Sequence, residues 1–376
     1  MKRAFGRHSR VKTPVAAAIA LLCIASAVRS AQPQDRPSPP PQPPNGSLWL
    51  IDTRGLSGCD PAAESGPTCW RCGPDRKWIA SDLAAFLEAD DPAVPTAFFL
   101  HGNGIGPGEA VELGCDVYAI LKAEAQSRPF RFVIWSWPSD RIPGRVRRDV
   151  QIKAARSEVE SYYLADCIRQ IQPKVRISLM GYSFGARAIG GTLHLLAGEE
   201  FEGRRLPEPA PERAPLRVVF LAAAIDNTSP LPGCSNGSAR TMVDRLLVTC
   251  NPADPALRWY RRIDRGRGPD ALGFTGPACR SLLGPDSEKL ELLNLSCEVG
   301  RRHEAEGYLA AGSLRARLGW YAFLGRPEPS PATTARLDLS GATPPQVTPL
   351  TRAAVHGSPL SALLAQSASG PKPLRP

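Results

Sequence analysis

An α/β fold, with a mostly parallel central sheet and helices on both of its faces, is what this sequence predicts. Three observations carry the prediction. Short apolar runs recur between residues 47 and 295, several of them nearly unbroken Val, Ile, Leu and Phe, as strands buried on both faces require. Longer stretches with apolar residues at helical spacing lie between those runs. The two kinds of segment alternate without an internal repeat, the pattern of parallel strands joined by crossover helices.

Seven strands are expected in order: Ser47–Ile51, Thr96–Leu100, Arg131–Trp135, Val175–Met180, Leu216–Leu221, Leu246–Thr249 and Leu290–Leu295. Helices are expected over residues 108–126, 148–172 and 184–197. In the second of these Ile152, Ala155, Val159 and Tyr162 form a stripe to bury. A parallel sheet of this kind binds its ligand at the carboxyl ends of the strands.

The two ends of the chain read differently. Residues 1–30 pass from basic (Lys2, Arg3, Arg7, Arg10, Lys12) through the short apolar stretch Val15–Val28 to small residues, the order of a secretory signal. The stretch is shorter than the roughly 20 residues a spanning helix needs, so no membrane span is expected once it is removed. A signal anchor is the alternative. Residues 31–46 are a Pro-rich linker. Residues 326–376, rich in Pro, Ala, Ser and Thr, are expected to be a disordered tail, which leaves residues 47–325 as the folded domain. The chain is thus expected to be exported, to the periplasm, the cell surface or the medium.

Charge and cysteines follow from that reading. Residues 1–30 hold six Lys or Arg and no acid, so cleavage after Ser30 takes the formal charge from +10 to +4. So mild a balance does not point to nucleic acid. Nine of the ten cysteines follow the signal, and an exported chain meets oxidising surroundings. Cys59, Cys69 and Cys72 are expected to form a disulfide knot over an N-terminal loop, in preference to a zinc site, which would show a second close pair. A bridge between Cys279 and Cys297 would hold the loop that follows.

The chemistry concentrates at Gly181-Tyr182-Ser183-Phe184-Gly185, where an expected strand turns directly into an expected helix. Such a corner strains the backbone of Ser183 and lifts its hydroxyl clear of the sheet, at a helix N-terminus. Side chains at 181 and 185 would collide with the neighbouring strand and helix. A serine hydroxyl needs a base. Of five histidines, His8 falls in the signal, His356 in the tail, His101 in a glycine-rich loop and His194 a full helix away from Ser183. His303, after the last expected strand, remains. Its orienting acid is expected to be Asp254, beyond the sixth strand; Asp226, beyond the fifth, is the runner-up. Leu100-His101-Gly102-Asn103-Gly104 ends the second strand, and the main-chain N–H groups of Asn103 and Phe184 are the expected oxyanion hole, with His101 supporting the loop.

The order Ser183, Asp254, His303 resembles the α/β-hydrolase superfamily over nearly all of residues 47–325. The pairing of Phe98-Phe99-Leu100-His101-Gly102-Asn103 with Trp135-Ser136-Trp137-Pro138-Ser139 is similar to a bacterial branch of it. There the nucleophile motif more often reads His-Ser-Met-Gly, and here Tyr182 and Phe184 flank the serine. The resemblance implies hydrolysis of an ester, thioester or amide through an acyl-enzyme, on a small or lipid-like acyl substrate, with no metal or organic cofactor. An inactive binding scaffold and a serine peptidase are the alternatives. The arginines at 141–148, like Arg261, Arg262, Arg265 and Arg267, read as solvated loops. Trp135, Trp137, Tyr308, Trp320 and Tyr321 fit a core or a cleft equally well.

Overall fold

The computed structural model describes residues 47–56, 66–144, 146–263 and 268–329 of the chain. The expected signal, linker and most of the tail lie outside these residues, as does Cys59. Among the described residues nine strands form one sheet in the order β3-β2-β1-β5-β4-β6-β7-β8-β9. They are β1 (Ser47–Asp52), β2 (Thr68–Cys72), β3 (Trp78–Ser81), β4 (Thr96–Leu100), β5 (Arg131–Ser136), β6 (Ile177–Tyr182), β7 (Leu216–Leu221), β8 (Val243–Cys250) and β9 (Leu290–Asn294). From β1 to β9 every neighbouring pair is parallel; only β2 runs the other way. All seven expected strands are present, with ends shifted by a few residues.

The helices are α1 (Leu83–Glu88), α2 (Pro107–Ala125), α3 (Val146–Gln170), α4 (Phe184–Leu196), α5 (Pro255–Trp259), α6 (Leu272–Thr275), α7 (Ser296–Val299), α8 (Ala305–Leu309) and α9 (Gly312–Tyr321). The three long ones stand where the apolar spacing puts them. Their starts have local causes. Asp82 Oδ1 accepts from Ala85 N at 2.8 Å to cap α1. In α2, Pro107 sits in the first turn and Glu109 Oε2 accepts from Gly106 N at 2.9 Å.

The sheet separates two helical layers. Adjacent residues of β5 show it, because successive side chains of a strand point to opposite faces. Ile134 packs against Gly114 of α2, where even a Cβ would come within 2.6 Å. Next to it, Trp135 reaches the other way and donates to Glu160 of α3 at 3.0 Å. α3 lies along α4 on that face, and α9 joins α2 on the opposite one. One apolar core runs from Leu48 to Leu324. Trp135, Trp137, Tyr308, Trp320 and Tyr321 are all buried in it.

The segment expected to be a cysteine-tied loop is instead the hairpin β2–β3, with Cys69 opposite Ser81 and Cys72 opposite Trp78. The alternation of β2 sends Cys69 and Cys72, three positions apart, to opposite faces, and both are buried. They cannot meet each other or grip one ion. No sulfur–sulfur bond joins any two described cysteines, and the expected Cys279–Cys297 bridge is not formed; Cys279 Sγ lies 3.2 Å from Ser281 Oγ instead. Residues 146 and 147, expected in the loop before the helix, open α3, and Arg147 donates to Ile263 O at 2.9 Å. Among the described residues no helix is long and apolar enough to cross a membrane.

The amino end of the sheet is fastened by Arg131, the first residue of β5. Its guanidinium donates to Thr96 Oγ1 at 3.0 Å and to Phe86 O at 2.8 Å, and pairs with Asp90. Burial pulls the Arg131 pKa below the usual guanidinium value, and Asp90 opposes that shift. Asp90 Oδ2 also accepts from Gln172 N at 2.8 Å, tying α1's exit to α3's. Removing one partner of a buried pair strands the other charge. Asp90→Ala is therefore expected to cost about 3–5 kcal/mol in urea denaturation.

Candidate active site

Two neighbouring strands lead away from each other at the centre of the sheet: β4 is followed by β5 on one side, and β6 by β7 on the other. The carboxyl ends of two strands connected in this way are where such sheets bind ligands. The loops after β4 and β6 meet there.

At the end of β6 the chain turns at Ser183, with φ 53° and ψ −115°. Holding a non-glycine residue there costs about 1–3 kcal/mol. Three main-chain bonds fix it: Ser183 N donates to Leu221 O at 2.9 Å, and Ser183 O accepts from Ala186 N at 3.1 Å and Ala224 N at 3.2 Å. The serine is 6% exposed. A Cβ on Gly181 would lie 2.6 Å from Ala186 N, and one on Gly185 would lie 2.2 Å from Leu100 O. Both glycines are required by close backbone approach.

Three strand ends contribute to one line of side chains. Ser183 Oγ, after β6, lies 3.2 Å from His303 Nε2. His303 Nδ1, after β9, lies 2.7 Å from Asp254 Oδ2. Asp254 follows β8 and is fully buried; the His303 side chain is 22% exposed. The second oxygen of Asp254 caps α5, accepting from Ala256 N at 2.8 Å and Leu257 N at 3.2 Å. Burial opposes the charge on Asp254, but His303 and the hydroxyl of Tyr308 outweigh it and hold the carboxyl below its ordinary range. Burial likewise disfavours the imidazolium, yet Asp254 overcomes it and raises the His303 pKa.

The runner-up acid is engaged elsewhere. Asp226 Oδ1 accepts from Tyr260 OH at 2.6 Å, and the same phenol accepts from Arg187 Nη1 at 2.7 Å. Arg187 in turn pairs with Glu158 of α3. This network braces α3, α4 and α5.

The loop after β4 runs against the serine corner. A Cβ on Gly102 would lie 3.0 Å from Ser183 Cβ and 2.8 Å from the Tyr182 ring. Among the described residues the main-chain N–H groups of Asn103 and Phe184 donate no hydrogen bond, and Asn103 Oδ1 is buried without a partner. His101 is fully buried beneath the loop. Its Nε2 accepts from Trp137 N at 3.2 Å, its carbonyl accepts from Trp137 Nε1 at 2.9 Å, and the two rings stack at 5.6 Å. Burial, with the Arg54 guanidinium nearby, pushes the His101 pKa down to about 3. It stays neutral with its proton on Nδ1, directed at Gly102 O 3.0 Å away.

Several partners could not be found from sequence. Ser139 Oγ and Arg54 Nη2 both donate to Ile105 O, at 2.9 and 3.0 Å, and Gly104 N donates to Ser139 O at 2.8 Å. The segment Trp135–Ser139 thus lashes the glycine-rich loop in place, which is what joins the two motifs noted in the sequence. Tyr182 OH donates to His303 O at 2.7 Å, so the residue before the serine also holds the histidine loop. Asn251 Nδ2 donates to Gly300 O at 2.9 Å and joins the loops after β8 and β9. Tyr308 OH donates to Asp254 Oδ2 at 2.8 Å. Each contact spans tens to more than a hundred positions of chain, and no local pattern announces it.

A cavity of about 60 Å³, walled by Leu193, Phe220, Ile225, Leu246 and Leu283 among others, lies along α4 without Ser183 or His303 in its lining. Among the described residues no group of three or more His, Cys, Asp or Glu is placed to hold a metal ion.

Gly185→Ala is expected to force α4 away from β4 and to cost about 3 kcal/mol in urea denaturation. Gly108→Ala, at a helical position with open space around it, is the control. It should stabilise by about 0.5–1 kcal/mol.

No family model matches the chain, and no curated protein matches it. Two solved structures show a distant likeness. One is a bifunctional GH43-CE protein of Bacteroides eggerthii, at 13% identity and a TM-score of 0.33, covering 64% of this chain and 35% of that one. The other is an iodinated complex of acetyl xylan esterase, at 15% identity and a TM-score of 0.31, covering 63% of this chain and 100% of that one. The chain thus spans about a third of the length of the first, and at these TM-scores neither likeness bears on the chemistry.

Proposed function

We propose that this chain is a serine hydrolase of α/β-hydrolase type that cleaves an ester, thioester or amide through an acyl-enzyme, with esters foremost. One observation carries the proposal: a strained, helix-capping serine whose oxygen faces an imidazole that a buried carboxylate holds from behind. The basic, apolar and small residues at 1–30 support reading the enzyme as exported.

In this reading Ser183 Oγ attacks the acyl carbonyl while His303 Nε2 takes its proton. Asp254 keeps the other proton on Nδ1 and steadies the imidazolium that forms. The carbonyl oxygen becomes negative and is met by the N–H groups of Phe184 and Asn103, at the positive end of α4. His303 then gives its proton to the leaving group, and water repeats the sequence to release the acid. The 3.2 Å separation of Oγ and Nε2 is at the long end of a hydrogen bond, as resting sites often are. His101 is too buried and too weakly basic to take His303's place.

A fluorophosphonate probe tests the reading directly: it should label the wild-type protein and not Ser183→Ala. Hydrolysis of a short activated ester should fall at least about 10⁴-fold in Ser183→Ala with the thermal transition retained. An unlabelled wild-type protein defeats the proposal. The pH dependence has a definite sign. His303 must be neutral to act as base, and its pKa is raised. So kcat/KM should fall as pH drops, with a midpoint above the ordinary imidazole value of about 6.5.

A further inference from the structure

The carboxylate behind His303 has more than one suitor. Asp254 Oδ1 is taken up by the first turn of α5. Oδ2 accepts two bonds at once: from His303 at 2.7 Å and from Tyr308 OH at 2.8 Å. Tyr308 is fully buried on α8, five residues beyond the histidine. Its phenol is held protonated, first by burial and then by the facing carboxylate, so it stays a donor at any working pH. A buried hydroxyl is retained at a cost unless it has a partner, and here the partner is the one oxygen that the imidazole also needs.

We infer that Tyr308 is a positioning residue, whose hydroxyl fixes Oδ2 of Asp254 toward His303 and takes a share of the charge that this oxygen offers the imidazolium. The inference rests on reading Ser183, His303 and Asp254 as the reacting residues. Two consequences follow from one bond. The carboxylate has its four close partners, Ala256 N, Leu257 N, His303 and Tyr308, and cannot rotate. Its pull on the proton of His303 is also moderated, which keeps the imidazole basic enough to take a proton and acidic enough to return it.

The other groups that face His303 are Asp254, Glu304 and the Tyr182 phenol, with Glu306 facing Tyr182. Of these only Asp254 loses a bond in Tyr308→Phe; Glu304, Glu306 and Tyr182 keep theirs. That substitution keeps the ring in the core and deletes the hydroxyl, which donates to Asp254 and is also met by the Asn251 side chain. Oδ2 then leans wholly on the imidazole, and His303 should titrate higher. Installing 3-fluorotyrosine at position 308 makes the phenol a stronger donor and should move His303 the other way.

The experiment is an NMR titration of ¹³C-labelled histidine in the full chain, with the His303 signal assigned by its absence in His303→Gln. The midpoint is expected to rise by about half a pH unit in Tyr308→Phe and to fall in the fluorotyrosine protein. The acid limb of kcat/KM should move with it, and plateau kcat for a short ester should fall about tenfold in Tyr308→Phe with KM unchanged. Midpoints that stay put, or that move in the same direction in both proteins, overturn the inference. Should Tyr308→Phe fail to fold, the fluorotyrosine arm decides alone. Because the titration needs no turnover, a protein that resists fluorophosphonate would defeat the hydrolase reading while the test of Tyr308 still runs.

Discussion

The arrangement depends on how near the first turn of α4 comes to the end of β4. The hydrogen on Gly185 stands where a methyl group would strike the carbonyl of Leu100. That approach leaves one residue to turn the chain from strand to helix, and the residue is Ser183, held at positive φ by bonds to Leu221, Ala186 and Ala224. Strain of this kind persists only where the surroundings over-determine it. Here the surroundings are β4, β6 and β7, all buried on both faces, so the cost is spread over the middle of the core. The hydroxyl points out of the sheet as a result of packing.

Around that corner the molecule divides its polar groups by end. At the amino ends of the strands Arg131 and Asp90 sit in an internal pair that fastens helices to the sheet. At the carboxyl ends the charged groups meet across loops, and their protonation is set by neighbours. His101 is pressed down to about 3 by burial and Arg54, whereas His303 is raised by Asp254. Two histidines at one end of the sheet are thereby shifted in opposite directions: one is a fixed neutral strut, the other is held toward its protonated form by a carboxylate. Glu160, beneath the same end, is pushed up to about 7 by burial even though Thr53 and Trp135 both donate to it.

Much of this was legible in the sequence because it is local. Unbroken apolar runs such as Thr96–Leu100 and Leu216–Leu221 mark strands with two buried faces, and both stand at the expected residues. The serine corner declares itself through two glycines flanking a strand-to-helix switch. His303 emerges by elimination, and Asp254 by lying one strand nearer to it than Asp226 does. The hairpin β2–β3 was hidden, because cysteines three positions apart suggest a tied loop, whereas strand alternation sends Cys69 and Cys72 to opposite faces. The short helices α5 to α9 carry too few turns to show a period. Tyr182, Tyr308, Asn251 and Arg54 were illegible for another reason: each acts through one polar atom, at a distance in sequence that only the folded sheet abolishes.

The edge of the sheet beyond β2 has a consequence for encounters between copies of the molecule. β3 is four residues long and offers an incoming chain only about 13 Å of backbone to pair with. Ile79 is 48% exposed on it, an apolar invitation in itself. Yet so brief a ladder binds a stray strand too weakly to template another, and brevity is among the devices by which sheet proteins escape fibrous growth. Lengthening this strand by a few β-branched residues would remove that protection without touching the serine corner at all.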